Sequence, residues 1–335
     1  MPGIDVLVVS VGSTTGWRIA ADELTASLRR AGATVELVTA ERSPPVRTFA
    51  LTDFVEARAA RAAALHGIEA HDPRAIVYCS ITAALLWPRA GAIFLDSIAA
   101  ENRPGRHGIW QRSVERRRLR RSPLLIVWSE RGLDALRGPR PDSVIARVPI
   151  ELTGDAGGPR EIAAVTYAGD PVKRRISTVL GAWAEARREG ERLVVAGLPS
   201  HATRDVPRLE AQLSADGVEV SEPLTPEAFR ALLQRARVYV AAPRIEDYGV
   251  AALEALASGC VLVTTPSAGP YPARDLARVL DRRLVNDDLA GAIRLGLDDP
   301  PADYAQRAAR LLEPFSHEAL DRVVAETVLP RLLSR

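Results

Sequence analysis

Residues 238–265, VYVAAPRIEDYGVAALEALASGCVLVTT, confine the chain to a narrow set of folds. Residues 238–242 are an unbroken apolar run of strand length, as in a strand buried on both faces. Pro243 and Gly249 bracket a loop. Residues 250–258 hold Val, Ala, Leu, one Glu and a final Ser, with no Gly or Pro, and read as a helix. Gly259 suits a left-handed cap, and residues 260–265 form the next strand. A strand–helix–strand unit of this length makes a parallel pair, and parallel sheets need helices over both faces. Ligands of such sheets sit beyond the carboxyl ends of the strands, where residues 243–249 fall.

Glu254 is the one polar side chain within residues 250–257. A helix apolar all round is normally buried, and a buried carboxylate needs partners. One candidate is a ligand hydroxyl; the other is an ion pair with one of the many arginines. Glu246 stands eight residues earlier, in the loop. Helical side chains lean toward the N-terminus, so Glu254 points at the same mouth as Glu246. Free N–H groups at Tyr248, Gly249 and Val250 attract anions. Two acceptors for hydroxyls beside an anion cradle suit a ligand that is part sugar and part phosphate.

Pro243, Glu246, Tyr248-Gly249, Glu254, Ala255, Ala257 and Gly259 together resemble the E-x7-E segment of the retaining glycosyltransferases of family four. The resemblance implies an α/β chain of the GT-B fold: two facing Rossmann-like domains with parallel sheets and an interdomain cleft. It extends more loosely over most of the chain.

Length agrees with two domains, since 335 residues exceed one typical core. Net charge is only +2, but residues 1–150 carry +6 and residues 151–335 carry −4. Cys79 and Cys260 offer no disulfide framework and no metal spacing. The N-terminus lacks the basic start and apolar run of a signal peptide, and no apolar run is long enough to span a membrane, so the cytoplasm is the expected location.

The first half opens β-α-β. Residues 4–11 are a buried strand, residues 12–16 a glycine-containing turn, residues 17–30 a helix and residues 34–38 a strand. Gly12 and Gly16 serve turn geometry at the least; the resemblance implies that this loop faces donor phosphate and acceptor. No G-x-G-x-x-G is spelled, which argues against a dinucleotide-binding dehydrogenase. Helices are expected at 51–66, 83–87 and 130–137, and strands at 75–79, 92–96, 123–128 and 143–148. Asp96 closes its strand and either orients an acceptor hydroxyl or caps a turn. His107, in a polar loop, either handles a hydroxyl or proton or is a solvated surface side chain. Residues 109–121 form a helix with six arginines. It either touches an anionic acceptor or an inner-leaflet membrane, as a weak peripheral contact, or is a solvated helix. Nucleic acid is not an expected partner, because neither zinc spacing nor an aromatic-interleaved basic strand occurs.

Residues 152–160 read as a linker. The second half repeats the plan: strand 163–167, helix 176–188, strand 192–196. Lys173, the only lysine, and Arg174 or Arg175 stand where a strand hands over to a helix. Cations at a helix N-terminus oppose its dipole, a conflict that a bound diphosphate resolves. This segment resembles the family's phosphate-binding loop, shortened, with Asp170 where an arginine is usual; Arg174 is the expected second cation. Helices are expected at 287–296, 301–312 and 316–333.

The expected domains are 1–150 for the acceptor, 151–315 for the nucleotide-sugar, and a 316–335 helix that packs back on the first. The resemblance implies a hexosyltransferase that moves a sugar from a nucleotide-diphosphate sugar to an acceptor hydroxyl with retention. In it Glu246, Lys173 and Arg174 are catalytic. Glu254, Tyr248, Gly249, Val250, Gly12 and Gly16 bind donor, and Asp96 and His107 face the acceptor, a small molecule, a glycan or a lipid-linked group. No metal is expected, since no D-x-D triplet occurs, and no cofactor beyond the donor. The competing readings are a GT-B sugar-nucleotide epimerase or phosphorylase, and a non-catalytic nucleotide-binding relative.

Overall fold

The computed structural model describes residues 3–41, 48–98, 105, 108–139, 141–154, 157–199 and 209–334. The chain forms two compact units, Met1–Pro149 with Pro314–Arg335, and Ile150–Glu313.

The first unit holds a six-stranded parallel sheet of β1 (Val6–Ser10), β2 (Val35–Thr39), β3 (Ala75–Cys79), β4 (Ala92–Leu95), β5 (Leu125–Val127) and β6 (Ser143–Ile145). Its order is β2-β1-β3-β4-β5-β6, with Val6 level with both Val35 and Ala75. Strand β4 is apolar throughout and β1 is apolar but for Ser10, because helices cover both faces. Helix α1 (Thr15–Arg30) starts where the Thr14 side chain accepts from Trp17 N, and it buries Ala20, Ala21, Leu24 and Leu28. Helix α2 (Phe49–His71) runs five residues past its expected end, through Gly67, which stays helical and lets the helix press on Leu7 and Val38, as far as Asp72, the left-handed cap. The short α3 (Ile81–Ala84) and the arginine-bearing α4 (Ile109–Arg121) complete this unit's first part. Residues 130–137 form turns in place of the expected helix. Gly132 lies against the Asp96 carbonyl there, and a glycine in mid-segment disfavours the helix.

The second unit holds β7 (Ile162–Tyr167), β8 (Leu193–Ala196), β9 (Val218–Val220), β10 (Ala236–Ala241) and β11 (Val261–Thr264), in the order β11-β10-β7-β8-β9. All pairs are parallel. Its helices are α5 (Ile176–Ala186), α6 (Leu209–Leu213), α7 (Pro226–Gln234), α8 (Val250–Ala257), α9 (Pro272–Asp281), α10 (Leu289–Asp298) and α11 (Tyr304–Leu312). From β7 the chain winds one way through β8 and β9, then crosses to β10 on the other side. The loops after β7 and β10 therefore diverge, which opens a crevice at this switch point.

The last stretch, α12 (His317–Val323) and α13 (Leu329–Leu333), returns to the first unit. Arg30 binds Asp321 through two contacts of 2.7 Å, and His317 Nε2 lies 3.3 Å from Glu23. Leu320, Val324 and Val328 are buried beneath these pairs. The expected continuous helix is broken by one π turn at Val324–Val328. Pro330 follows, and a widened turn relieves the clash of its ring with the preceding carbonyls. Among the described residues, no helix is long and apolar enough to cross a membrane.

Because Val324 is fully enclosed, Val324→Asp would place an unpaired charge in an apolar contact. The expected cost is at least about 3 kcal/mol, read as a lower denaturation midpoint in urea; an unchanged midpoint would mean that the terminal segment is not docked.

Candidate functional site

Three segments of the second unit meet at the switch point. The first is the turn after β7, residues 169–175. Asp170 Oδ1 accepts from Val172 N at 3.1 Å and Lys173 N at 2.9 Å, and its carbonyl accepts from Arg174 N at 3.0 Å. Asp170 thus folds the turn that presents the two cations, an Asx arrangement that an arginine at this position lacks. Arg175 then takes a left-handed conformation, φ 52° and ψ 48°, at the start of α5. A non-glycine residue held there carries strain, and such strain concentrates at working sites.

The second segment is the loop after β10. Glu246 is 4% exposed. Its carboxylate pairs with Arg174 and lies 3.8 Å from Lys173 Nζ, while Lys173 Nζ also lies 3.5 Å from Asp247 Oδ2. Arg174 reaches over the Tyr167 ring at 5.9 Å. Arg244 N donates to Lys173 O at 3.3 Å, which ties the two loops through backbone as well. A buried carboxylate is costly unless cations stand beside it, as Arg174 and Lys173 do here.

The third segment follows β11. Glu246 N donates to Ala268 O at 3.0 Å, and Tyr271 N donates to Glu246 O at 3.3 Å. Gly269 makes this approach feasible, since a Cβ there would sit 2.4 Å from the Glu246 carbonyl oxygen. Gly249 is equally constrained, with φ 81° and space for a Cβ only 2.5 Å from Tyr271. Helix α8 begins directly after it with no side-chain cap, and its first hydrogen bond is Ala252 N to Gly249 O at 3.0 Å. The N-terminal amides of α8, Val250 among them, form the anion-attracting end of the helix.

Glu254 sits further along α8 with a different partner. Its side chain is 15% exposed, and Arg230 Nη1 on α7 lies 3.5 Å away. Arg230 is shared with Glu227 at 3.2 Å. Burial raises the Glu254 pKa above its ordinary 4.5, and Arg230 opposes that rise. The two glutamates of the motif therefore belong to one strand–loop–helix unit but rest on separate cations.

Other expected site residues lie in the first unit. The Gly12 carbonyl accepts from Arg18 at 3.0 Å in the turn after β1, and Gly16 falls in the first turn of α1. Asp96 follows β4, and its Oδ1 accepts from Ser97 N at 2.7 Å, the turn-capping arrangement. His107 lies outside the described residues. Near Gly12, at the first sheet's own switch point between β1 and β3, Ser80 holds φ 138° and ψ 161°, and the buried Ser10 hydroxyl has no hydrogen-bond partner among the described residues. Among the described residues, no group of three His, Cys, Asp or Glu side chains is placed to hold a metal ion.

Sequence reasoning passed over Asp247, Arg230 and the Ser267–Pro270 segment. Asp247 adjoins Glu246 and was open to the same argument. Arg230 lies 24 positions before Glu254, and only the packing of α7 on α8 brings the pair together.

Residues 162–313 match the model of a family described as "Glycosyl transferases group 1". No curated protein matches the chain by sequence. Among solved structures, sucrose-phosphate synthase from Thermosynechococcus elongatus is 17% identical with a TM-score of 0.72, over 98% of this chain and 99% of that one. WaaG, a glycosyltransferase involved in lipopolysaccharide biosynthesis, is 12% identical with a TM-score of 0.73, over 99% and 100%. HepE from Anabaena, solved with UDP and glucose, is 14% identical with a TM-score of 0.69, over 97% and 99%. At these identities the likeness is one of fold, the GT-B pair of Rossmann-like units.

Two outcomes follow from the geometry. Gly269→Ala should strain the Glu246 loop and lower stability, read from the denaturation midpoint, by about 1–3 kcal/mol, with the circular dichroism spectrum retained; an unchanged midpoint would show that the close approach is immaterial. For Glu254 the folded pKa is raised, so its contribution to stability is greatest below the ordinary carboxylate range and is lost as pH rises through the raised value. Glu254→Gln removes that effect, and Arg230 keeps Glu227. The melting temperature of the variant at neutral pH should equal or exceed that of the parent; a large drop would make Glu254 a structural ion pair.

Proposed function

We propose, for a chain whose residues 162–313 match the model of the glycosyl transferases group 1 family, that it moves a hexose from a nucleotide-diphosphate sugar to an acceptor hydroxyl with retention at the anomeric carbon. One observation carries this reading. The buried Glu246 carboxylate is held between Lys173 and Arg174 at the uncapped start of α8. Two cations and a helix N-terminus converge on one point, and the anions that occupy them in the free protein are carboxylates. A diphosphate carries more charge and more acceptor oxygens, and it can take both cations at once.

In this reading the donor diphosphate draws Lys173 and Arg174 from Glu246 and Asp247. Glu246 is then released to accept hydrogen bonds from the sugar hydroxyls. Glu254 accepts from the ribose hydroxyls. The bond from the anomeric carbon to the diphosphate oxygen breaks while the acceptor oxygen bonds that carbon from the same face. The acceptor proton passes to the departing phosphate oxygen. Lys173, Arg174 and the α8 amides stabilise the charge that develops there, an electrostatic effect worth several kcal/mol in a water-poor site. Neither a metal nor a cofactor has a role in this scheme. HepE, one of the structural neighbours, was solved with UDP and glucose, which supports a nucleotide-sugar as donor.

The test is turnover with a panel of nucleotide-diphosphate sugars, after calorimetry with UDP, GDP and ADP identifies the base. Lys173→Ala and Arg174→Ala should each lower kcat/KM by about 100-fold or more. Glu254→Gln should weaken donor binding roughly tenfold or more. In the parent, donor affinity should fall on acidification beginning above the usual carboxylate range, because the raised pKa of Glu254 protonates it early. Full activity in all three variants would dismiss the assignment. Nucleotide release without any acceptor would favour an epimerase or phosphorylase, and tight nucleotide binding without turnover a non-catalytic relative.

A further inference from the structure

One contact at the switch point has no part in the exchange of carboxylate for diphosphate. Tyr167 is the last residue of β7, and Arg174 lies over its ring. The guanidinium carbon stands 5.9 Å from the ring centroid, inside the roughly 6 Å reach of a cation–π contact. Three neighbours pack on the ring. A Cβ on Gly169 would come within 2.5 Å of the Tyr167 hydroxyl oxygen, and one on Gly197 within 2.7 Å of Tyr167 Cε2, so bare backbone meets the ring at both places. Phe229 of α7 meets it edge to face, with centroids 5.7 Å apart.

The two cations of the turn differ in their surroundings. The Lys173 side chain is 42% exposed and reaches the carboxylates of Glu246 and Asp247. The Arg174 side chain is 25% exposed and lies near aromatic rings. Burial raises the phenol pKa values of Tyr239 and Tyr271, and Arg174 is among the groups that oppose both rises, so its charge is felt by these enclosed side chains too. A carboxylate and a phosphate compete for the same N–H donors of a guanidinium. A ring face does not, since it attracts the charge and leaves the donors free. The Tyr167 contact is therefore one that Arg174 can keep while its anion changes.

We propose that Tyr167 is a positioning residue: its ring holds the Arg174 guanidinium at the crevice, so that a diphosphate displaces the Glu246 carboxylate without releasing the cation to water. Such pre-ordering strengthens binding, because less side-chain freedom is lost when the ligand arrives. The effect of Tyr167 on the donor passes entirely through Arg174. This inference rests on the donor reading of Lys173 and Arg174.

The test is a double-mutant cycle on the full chain, read by calorimetry with whichever of UDP, GDP and ADP the parent binds most tightly. Arg174→Ala should weaken binding roughly tenfold or more, and Tyr167→Leu about fivefold. The double variant should bind no more weakly than Arg174→Ala alone, since without the guanidinium the ring has nothing to hold. Tyr167→Phe keeps the ring and should recover the affinity that leucine loses. Replacement of Tyr167 by pentafluorophenylalanine keeps the shape of the ring but reverses the charge of its face, so it should weaken binding as leucine does, even where leucine disturbs the packing. Parental affinity in the leucine or pentafluorophenylalanine variant, a phenylalanine variant as weak as the leucine one, or an equal loss from Tyr167→Leu with and without Arg174 would overturn the proposal and leave the donor reading standing. Parental affinity in Arg174→Ala, or a parent that binds none of the three nucleotides, would instead remove the donor reading, and this inference with it.

Discussion

The buried Glu246 carboxylate governs the second unit's crevice. A charge that is 4% exposed is tolerated only because Arg174 and Lys173 stand beside it. Those cations come from the turn after β7, whereas Glu246 comes from the loop after β10. The two strands are sequence-distant but paired, Val238 against Ala164 and Tyr239 against Val165. The order β11-β10-β7-β8-β9 makes them neighbours and sends their loops apart. Were β7 and β10 separated by another strand, the carboxylate would be an uncompensated charge.

The surroundings of that pair hold strain and close approaches in place. Arg175 has a left-handed backbone, and the segment at residues 267–271 grips the Glu246 loop through two backbone hydrogen bonds. Gly249 and Gly269 allow contacts that a side chain would block. Those contacts fix the loop backbone, whereas the ion partners are met by the long, rotatable side chains of Lys173 and Arg174. That division suits an exchange of ion partners without rearrangement of the fold. Glu254 behaves differently. Its burial disfavours its own ionised form and Arg230 offsets only part of that, so ionising it costs stability. Positions of this kind are where function and stability diverge.

Much of the fold was legible in the residues. Apolar runs such as Leu193–Ala196 and Val261–Thr264 could be little but buried parallel strands, because no polar residue alternates within them. Helix ends were less so. The α2 helix continued through Gly67 to His71 because that glycine packs closely on Leu7 and Val38, and the helix expected at 130–137 failed where Gly132 presses on a neighbouring strand end. At the site, Glu246, Lys173, Arg174 and Glu254 stood out by being polar or cationic in places where such residues are costly. Their pairing did not. Strand order sets Glu246 against Arg174, and helix packing sets Glu254 against Arg230, and both are long-range facts. The meaning of Asp170 was also hidden, since its role as a turn former depends on backbone N–H groups that no motif spells.

The most direct test of this account is a structure of the chain with a nucleotide-diphosphate sugar bound. The account requires the diphosphate at the start of α8, with Lys173 and Arg174 on its oxygens, Glu246 on the sugar and Glu254 on the ribose. A donor bound elsewhere, or one bound while Arg174 remains on Glu246 and no phosphate oxygen approaches either cation, would contradict it.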